Sequence, residues 1–173
     1  MHKNKIETHP FEPFIPPGIK YLIVGSFPGK GQTEVDVHSN YWFYGAKRNT
    51  FWKILEAVYN VSLEDKKSKQ DLFIKTKMGI ADIILKAVRK NNTNSDINLD
   101  IIEFNDIAIK QILESKNIIT IFFTSKFVEK LFKKIFPQVC DTVVLPSPSP
   151  RFARMRLQEK INIYKSHLPT LND

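Results

Sequence analysis

The chain has 173 residues, 42% of them hydrophobic, a formal net charge of +8 and one cysteine. This length predicts a single domain with its own core. The positive charge modestly favours a protein that binds an anionic partner, either nucleic acid or an acidic membrane surface, over a protein whose basic surface is merely solvated. A lone cysteine and four scattered histidines exclude an internal disulfide and an iron–sulfur cluster, and we expect no metal site and no cofactor.

Residues 1–7 are polar, and no apolar run approaches the ~18 residues of a membrane-spanning helix. We therefore expect a cytoplasmic protein that has no membrane partner.

The N-terminal part contains an arm, a strand and a long loop. Residues 1–19 are polar and include four prolines, which predicts an N-terminal arm without regular secondary structure, ahead of one domain over 20–173. Residues 20–25 (KYLIVG) are apolar and end in glycine, as a buried strand that leads into a functional loop often does. The loop from Ser26 to about Arg48 is rich in glycine and aromatic residues, and loops of this length inside a compact domain are usually functional or mobile.

The middle of the chain alternates apolar and polar segments. Apolar residues at helical spacing predict a helix from about Thr50, and the lysine-rich residues 62–77 predict a surface excursion. Residues 79–88 (GIADIILKAV) are compatible with a strand, a turn or a short helix, and residues 91–98 have the composition of a loop. A further helix is predicted over 103–114.

The C-terminal part contains the clearest signals of regular structure. Residues 118–123 (IITIFF) predict a buried strand, 126–136 an amphipathic helix with lysines on its polar side, and 142–145 another strand. A proline-rich turn over 146–150 leads into a last helix over 157–168. Strands that alternate with helices predict a mainly parallel sheet covered on both faces, and ligands of such sheets bind beyond the carboxyl ends of the strands.

Two loops follow predicted strand ends, and the first contains GSFPGK at 25–30. It differs from the phosphate-binding loop GxxxxGK[ST], because only three residues separate Gly25 from Gly29 and because Gly31 stands where serine or threonine would bind magnesium. These differences argue against a nucleoside triphosphatase. The segment predicts a tight turn, which can also aim backbone N–H groups at a ligand.

Residues 41–52 (YWFYGAKRNTFW) combine aromatic, cationic and amide side chains just ahead of a helix. Asn49 is either an N-cap or a functional residue, and Thr50 can serve as the cap instead. Phe51 and Trp52 are predicted to lie in the core. The four aromatic residues at 41–44 cannot all be core in a loop interrupted by glycine, so some of them should form a stacking surface.

The second loop lies within LPSPSPRFARMR at 145–156. Its serine hydroxyls and backbone amides can bind DNA phosphates, and Phe152 can act as a wedge between stacked bases. Arg151, Arg154 and Arg156 are predicted at or after the start of the last helix, where they oppose the helix dipole unless an external anion is bound. A proline-stiffened connector with solvated arginines explains the same residues equally well.

In their order along the chain, these stretches resemble the motifs of the uracil-DNA glycosylase superfamily, and they are most similar to its hypoxanthine-DNA glycosylase branch. The matches are GxxPG at Gly25, Pro28 and Gly29, an aromatic residue and NxFW at Tyr44, Asn49, Phe51 and Trp52, and LPSxSP at Leu145, Pro146, Ser147, Ser149 and Pro150. A middle motif, GIxxxDI, matches Gly79 and Ile80 only loosely. No single motif is specific, but the ordered set is.

The resemblance implies an α/β fold, a three-layer α/β/α sandwich with a short, mainly parallel central sheet. It implies a monofunctional DNA glycosylase that hydrolyses the N-glycosidic bond of a deaminated base, hypoxanthine or uracil, in base-excision repair. The partner is DNA, as damaged duplex or single strand, no metal is needed, and we expect a monomer.

The resemblance also assigns roles to individual residues. Asn49 is the catalytic residue, and Tyr44 stacks on the flipped base. The turn formed by Gly25, Ser26, Phe27, Pro28 and Gly29 wraps the base, and Lys30, Ser147, Ser149, Arg151 and Phe152 contact the DNA.

Three positions depart from the family pattern. Phe27 stands where many members have a polar residue that handles water, Leu145 stands where uracil enzymes have a histidine, and Ala46-Lys47 replace a His-Pro pair. The departures motivate an alternative function, a noncatalytic binder of damaged or single-stranded DNA on the same fold. A hydrolase of small nucleotides is a weaker third hypothesis.

Overall fold

The computed structural model describes residues 5–171, which form two β-sheets and five α-helices. The strands are β1 (Ile6–Thr8), β2 (Tyr21–Gly25), β3 (Met78–Asp82), β4 (Ile84–Arg89), β5 (Leu99–Phe104), β6 (Thr120–Phe123) and β7 (Asp141–Val144). The helices are α1 (Phe51–Tyr59), α2 (Lys66–Lys75), α3 (Asp106–Ser115), α4 (Lys126–Ile135) and α5 (Leu157–His167). None of the helices in this range is long and apolar enough to cross a membrane.

Four strands form a parallel sheet in the order β3-β2-β6-β7. Its central strands are apolar on both faces, as a sheet buried between two layers requires. In the register of this sheet Gly25 pairs with Asp82, while Val24 pairs with Phe123 and Phe123 with Val144. The carboxyl ends of all four strands therefore lie along one edge, where the loops that follow them meet.

Helices cover both faces of this sheet. Ile23 packs in one core cluster with Leu55 of α1, Phe73 of α2 and Tyr164 of α5. The next residue, Val24, points to the opposite face and belongs to a second cluster, which includes Ile109, Ile112, Val128 and Phe132 of α3 and α4. The predicted three-layer α/β/α sandwich with a mainly parallel sheet is confirmed.

A small antiparallel sheet, in the order β1-β4-β5, stands beside the parallel one. The sequence of segment 79–88 was compatible with a strand, a turn or a short helix. In the structure this segment forms most of β3 and β4, with only Ile83 between the two strands. The prediction that residues 1–19 contain no regular element is wrong for Ile6–Thr8, because these residues pair with β4, and Phe14 also bridges to Ile80. Residues 1–4 lie outside the described range.

Two other predictions need correction. The helix predicted over 103–114 begins only at Asp106, because Leu99–Phe104 pair with β4 as a strand. The segment 62–77 is not a simple surface excursion, because most of it forms α2, which begins with a capping box between Asp65 and Ser68. The remaining predicted elements are confirmed to within two residues at each end.

The burial of α2 can be tested by shortening Phe73, whose side chain is inaccessible in the core. Phe73→Ala should lower the free energy of unfolding by about 3–5 kcal/mol, because it leaves a cavity between α2 and the sheet. Its neighbour Ile74 is 46% exposed, so Ile74→Ala should cost under about 1 kcal/mol. Urea denaturation of both variants measures the difference, and equal costs would show that α2 does not pack on the sheet.

Candidate active site

A cleft of about 750 Å³ opens at the carboxyl edge of the parallel sheet. Its walls come from the turn after β2 (26–30), the loop ahead of α1 (41–49), the loop ahead of β5 (94–97) and the loop after β7 (147–152). Eleven of the twelve predicted site residues line this cleft, and Gly25, the twelfth, lies beneath it at the end of β2. The three stretches that resemble family motifs therefore meet at one site, although the third, at 145–156, is far from the other two in sequence.

Gly25 is required by close packing at the floor of the cleft. A Cβ atom added at this position would overlap both Asp82 Oδ1 and Tyr44 Oη. The absence of a side chain at Gly25 thus allows these two polar groups to approach the end of β2. The next residues of the turn are not equivalent, because Ser26 is half-buried and Phe27 is buried against the His9 ring and the Arg89 guanidinium.

The aromatic residues at 41–44 divide between core and cleft, as predicted. Trp42 and Phe43 are buried in the core, whereas Tyr41 is exposed at the cleft wall. Tyr44 adopts a left-handed backbone conformation, with φ of 56°, and its ring stacks on Phe51 at 4.2 Å between centroids. Since Phe51 covers one face of the ring, a base in the cleft can stack only on the other face.

The Tyr44 hydroxyl donates a hydrogen bond to Thr124 Oγ1 at 3.0 Å. Burial, together with the nearby charge of Asp82, raises the pKa of this hydroxyl well above its ordinary value. Tyr44 therefore stays neutral at physiological pH, and its hydroxyl proton is directed at Thr124.

Asn49 lines the cleft and also binds the start of α1. Its Oδ1 accepts a hydrogen bond from the backbone N–H of Phe51 at 2.9 Å. Thr50, the residue just before the helix, makes no side-chain cap and instead donates its hydroxyl to the Pro148 carbonyl oxygen. The hydrogen bond from Phe51 holds the side-chain carbonyl of Asn49 in place. The side-chain Nδ2 amide of Asn49 has no hydrogen-bond partner among residues 5–171.

Sequence reasoning missed a buried pair of polar residues in the cleft, His9 and Asp82. His9 Nδ1 accepts a hydrogen bond from the Phe11 backbone N–H, so the ring proton is on Nε2, which donates to Asp82 Oδ2 at 2.8 Å. The other oxygen, Asp82 Oδ1, is buried without a partner among the described residues. Asp82 could have been found from its place at the end of an apolar strand, but His9 lies in the segment predicted to be an arm.

A second carboxyl group, Asp96, was also missed because it lies in a segment whose composition indicates only a loop. It lines the cleft close to the Ser26 side chain. Burial raises the pKa of the Asp96 carboxyl, and the charge of Asp82 acts in the same direction. Within the described part of the chain, no group of three or more His, Cys, Asp or Glu side chains is arranged to hold a metal ion.

The loop after β7 is held by its own serines. Ser147 Oγ accepts the Ser149 backbone N–H, and Ser149 Oγ accepts the Arg151 backbone N–H, at 3.2 and 3.3 Å. Both hydroxyls act as acceptors in these turns, so their protons are free to be donated to an anion. Phe152 is half-buried, with the Lys160 ammonium 5.3 Å from its ring centroid.

The prediction that the arginines of this segment lie at or after the helix start is wrong for two of them. Helix α5 begins at Leu157, so Arg151 and Arg154 precede it, whereas Arg156 is its N-cap residue, where Glu159 accepts the Arg156 backbone N–H at 2.7 Å. Arg151 instead lies at the rim of the cleft. Three more exposed cations of the rim are Lys30, Lys47 and Arg48. The cleft thus has a cationic rim and contains two carboxyl groups, Asp82 at its floor and Asp96 in its wall.

Comparisons with known proteins agree with this architecture. Residues 12–168 match the sequence profile of the uracil DNA glycosylase superfamily. The fold is similar to the solution NMR structure of a candidate uracil DNA glycosylase from Methanosarcina acetivorans, with a TM-score of 0.69 and 20% identity over 98% of this chain and 100% of that chain. The comparison with curated proteins finds no match.

The profile covers most of the chain, and the protein therefore belongs to the uracil DNA glycosylase superfamily. Members of this superfamily are DNA glycosylases, hydrolases of base-excision repair that act on DNA.

The close packing at the floor of the cleft predicts that Gly25 does not tolerate a side chain. Asp82 is held by its hydrogen bond with His9, and Tyr44 by stacking on Phe51 and a hydrogen bond to Thr124. Moving either side chain away from a new Cβ atom would therefore cost free energy. Gly25→Ala should lower the free energy of unfolding by about 1–3 kcal/mol. Gly29→Ala is the matched control, because its Cβ would meet only the side chains of Asn94 and Gln32, at 3.3 and 3.8 Å, and it should cost about 0.5 kcal/mol or less. Urea denaturation that gives equal costs for the two variants would contradict this packing.

Proposed function

We propose that the protein is a monofunctional DNA glycosylase of the hypoxanthine type, which excises hypoxanthine or uracil from damaged DNA as a monomer and without a metal or redox cofactor. The observation that supports this best is the meeting of Tyr44, Asn49 and the turn at 26–30 in one cleft. Its volume of about 750 Å³ is ample for one flipped base, and its cationic rim suits a phosphate backbone.

In the proposed reaction the bond between the sugar C1′ and the base nitrogen breaks, and its electron pair leaves with the base. Water adds to C1′ and gives up a proton, which finally rests on the departed base. The turn at 26–30 and the free Nδ2 amide of Asn49 donate hydrogen bonds to the charge that develops on the base, or Asn49 positions the water. Tyr44 stacks on the base and keeps it in the cleft.

Phe27 cannot accept a proton from water, and Asp96 can take over this task. Its carboxyl lies in the cleft beside Ser26, the residue before Phe27. A carboxyl whose pKa is raised by burial is a better proton acceptor at neutral pH than a fully solvated one.

The rim residues are proposed to hold the DNA. Lys30 and Arg151 provide exposed positive charge, while Ser147 and Ser149 provide hydroxyl donors within a stiff loop. Phe152 is placed at the same rim and can fill the gap that the flipped base leaves in the stack.

A noncatalytic DNA binder is the alternative, and the burial of Phe27 where relatives hold a polar group favours it. Both functions predict salt-sensitive binding of DNA, but only the glycosylase predicts abasic sites.

Two substitutions can separate the proposed catalytic role of Asn49 from its role as a helix cap. Asn49→Ala removes both the cap and the amide donor, whereas Asn49→Asp keeps an oxygen acceptor for the Phe51 N–H, removes the donor and adds a negative charge. Both variants should excise hypoxanthine or uracil at least about 100-fold more slowly than wild type. Alkali cleavage of end-labelled duplexes measures the rate, and gel shift should show that DNA binding is retained.

Asn117→Ala is the control for these variants, because Asn117 is exposed near the amino end of β6, at the opposite edge of the sheet. It should excise at the wild-type rate. Wild-type activity in Asn49→Asp would make Asn49 a cap only. Binding by the wild type without any strand breakage, on all lesions tested, would instead support the noncatalytic alternative.

A further inference from the structure

A buried arginine, Arg89 at the end of β4, holds two loops of the cleft from behind. Its Nη2 donates a hydrogen bond to the Pro28 backbone carbonyl at 2.9 Å, in the turn after β2. Its Nη1 donates to the Thr93 backbone carbonyl at 3.1 Å, in the segment ahead of β5. The Arg89 side chain is 5% exposed and does not itself line the cleft. Arg89 therefore joins two walls of the cleft without reaching what the cleft holds.

The same guanidinium forms an ion pair with Glu7 of β1, at 3.0 Å from Nε and 3.2 Å from Nη2. A buried ion pair that stabilises the packing of β1 on β4 explains these two contacts. It does not explain the bonds to the two loop carbonyls, because β1 and β4 are already paired through their backbones. The remaining donors of the guanidinium thus act on the cleft loops and not on the strand pairing.

The bond to Pro28 fixes the orientation of one peptide plane. In a trans peptide the C=O and the following N–H point in opposite directions, and the described residues contain no cis peptide bond. Because the Pro28 C=O points at Arg89, the Gly29 N–H points away from Arg89. Gly29 lines the cleft and Arg89 lies behind the turn, so this N–H is directed to the cleft side.

The Gly29 N–H is available to a ligand. It donates to no acceptor among residues 5–171, whereas the next N–H, that of Lys30, donates to Asn94 Oδ1 at 2.6 Å. A backbone donor that is already oriented needs no rearrangement when charge develops on a leaving group. The Gly29 N–H therefore has the properties of a donor that stabilises such charge.

We propose that Arg89 is a positioning residue, which holds the Pro28–Gly29 peptide so that the Gly29 N–H donates to the charge that develops on the departing base. This inference rests on the proposed function and adds to it the residue that orients one donor of the turn at 26–30. Without the guanidinium the peptide can rotate, since glycine tolerates most backbone angles. A rotated peptide would present the Pro28 carbonyl oxygen to the cleft, where it would oppose negative charge on the base.

Two variants separate this role from stabilisation of the fold. Glu7→Gln removes the ion pair but keeps the guanidinium on the Pro28 and Thr93 carbonyls. Combining Glu7→Gln with Arg89→Gln also removes the guanidinium, and it leaves no unpaired buried carboxylate that would by itself destabilise the protein. The double variant should excise the base about 10- to 100-fold more slowly than Glu7→Gln in single-turnover alkali-cleavage assays. Its affinity for the lesion duplex, measured by gel shift, should match that of Glu7→Gln, because Arg89 does not lie at the rim.

An NMR titration of the wild-type protein tests the same donor, and it requires neither excision nor a variant that folds. Free hypoxanthine or free uracil should shift the Gly29 amide proton downfield, because an acceptor atom of the base receives its hydrogen bond. The Lys30 amide, which is already bonded to Asn94, should shift much less. The Gly29 response should persist in Glu7→Gln and be lost in the double variant. A Gly29 amide that responds to neither base in the wild type, or that responds equally in the double variant, would overturn the inference.

The two proposals fail separately. Wild-type protein that shows the Gly29 response but cleaves no lesion duplex would contradict the proposed glycosylase and support the orientation of this donor by Arg89. Excision by the folded double variant at the rate of Glu7→Gln would contradict the role of Arg89 alone. Equal losses of excision in Glu7→Gln and in the double variant would also contradict it, because they would assign the effect to the ion pair.

Discussion

The parallel register that places Gly25 beside Asp82 is the constraint on which the rest of the site depends. Because the position beside Asp82 has no side chain, the Asp82 carboxylate and the Tyr44 hydroxyl can both pack over the end of β2. This arrangement brings the end of β3 and the loop ahead of α1 to the turn after β2. Substituting any larger residue at Gly25 would separate these three parts of the cleft.

Hydrogen bonds between distant segments complete the arrangement. Thr50 donates to the Pro148 carbonyl and so joins the loop ahead of α1 to the loop after β7, which is 98 residues away. His9 joins the N-terminal segment to Asp82 at the carboxyl edge. The cleft is therefore assembled from backbone and side-chain contacts within the protein itself. Stabilisation of a charged transition state requires donors that are held in place in this way.

The sequence predicted those parts of the fold that depend on the order of apolar, polar and turn-forming residues within a short segment. The strands β2 and β6 were evident because they are short, continuous apolar runs, and the loops after β2 and β7 were evident from glycine, proline and serine. Helix α2 was missed because its only fully buried residues are Leu72 and Phe73 in a lysine-rich segment. Strand β1 was missed because its partner, β4, is about 80 residues away, and local sequence does not encode such a pairing.

The same difference between local patterns and distant contacts explains which residues of the candidate site were predicted. The motif residues Tyr44 and Asn49 were predicted from the sequence, and both line the cleft. Asp82 and His9 were not predicted, because their significance comes from a contact across 73 residues and from burial without a second donor. The most direct test of the account is a crystal structure with a duplex that contains 2′-fluorinated deoxyinosine, in which the fluorine slows bond cleavage by destabilising the sugar cation. The account predicts the flipped base in the cleft, stacked on Tyr44, with the Asn49 Nδ2 amide about 3 Å from an acceptor atom of the base or from the water beside C1′. A base that remains stacked in the duplex, or that lies away from both Tyr44 and Asn49, would contradict it.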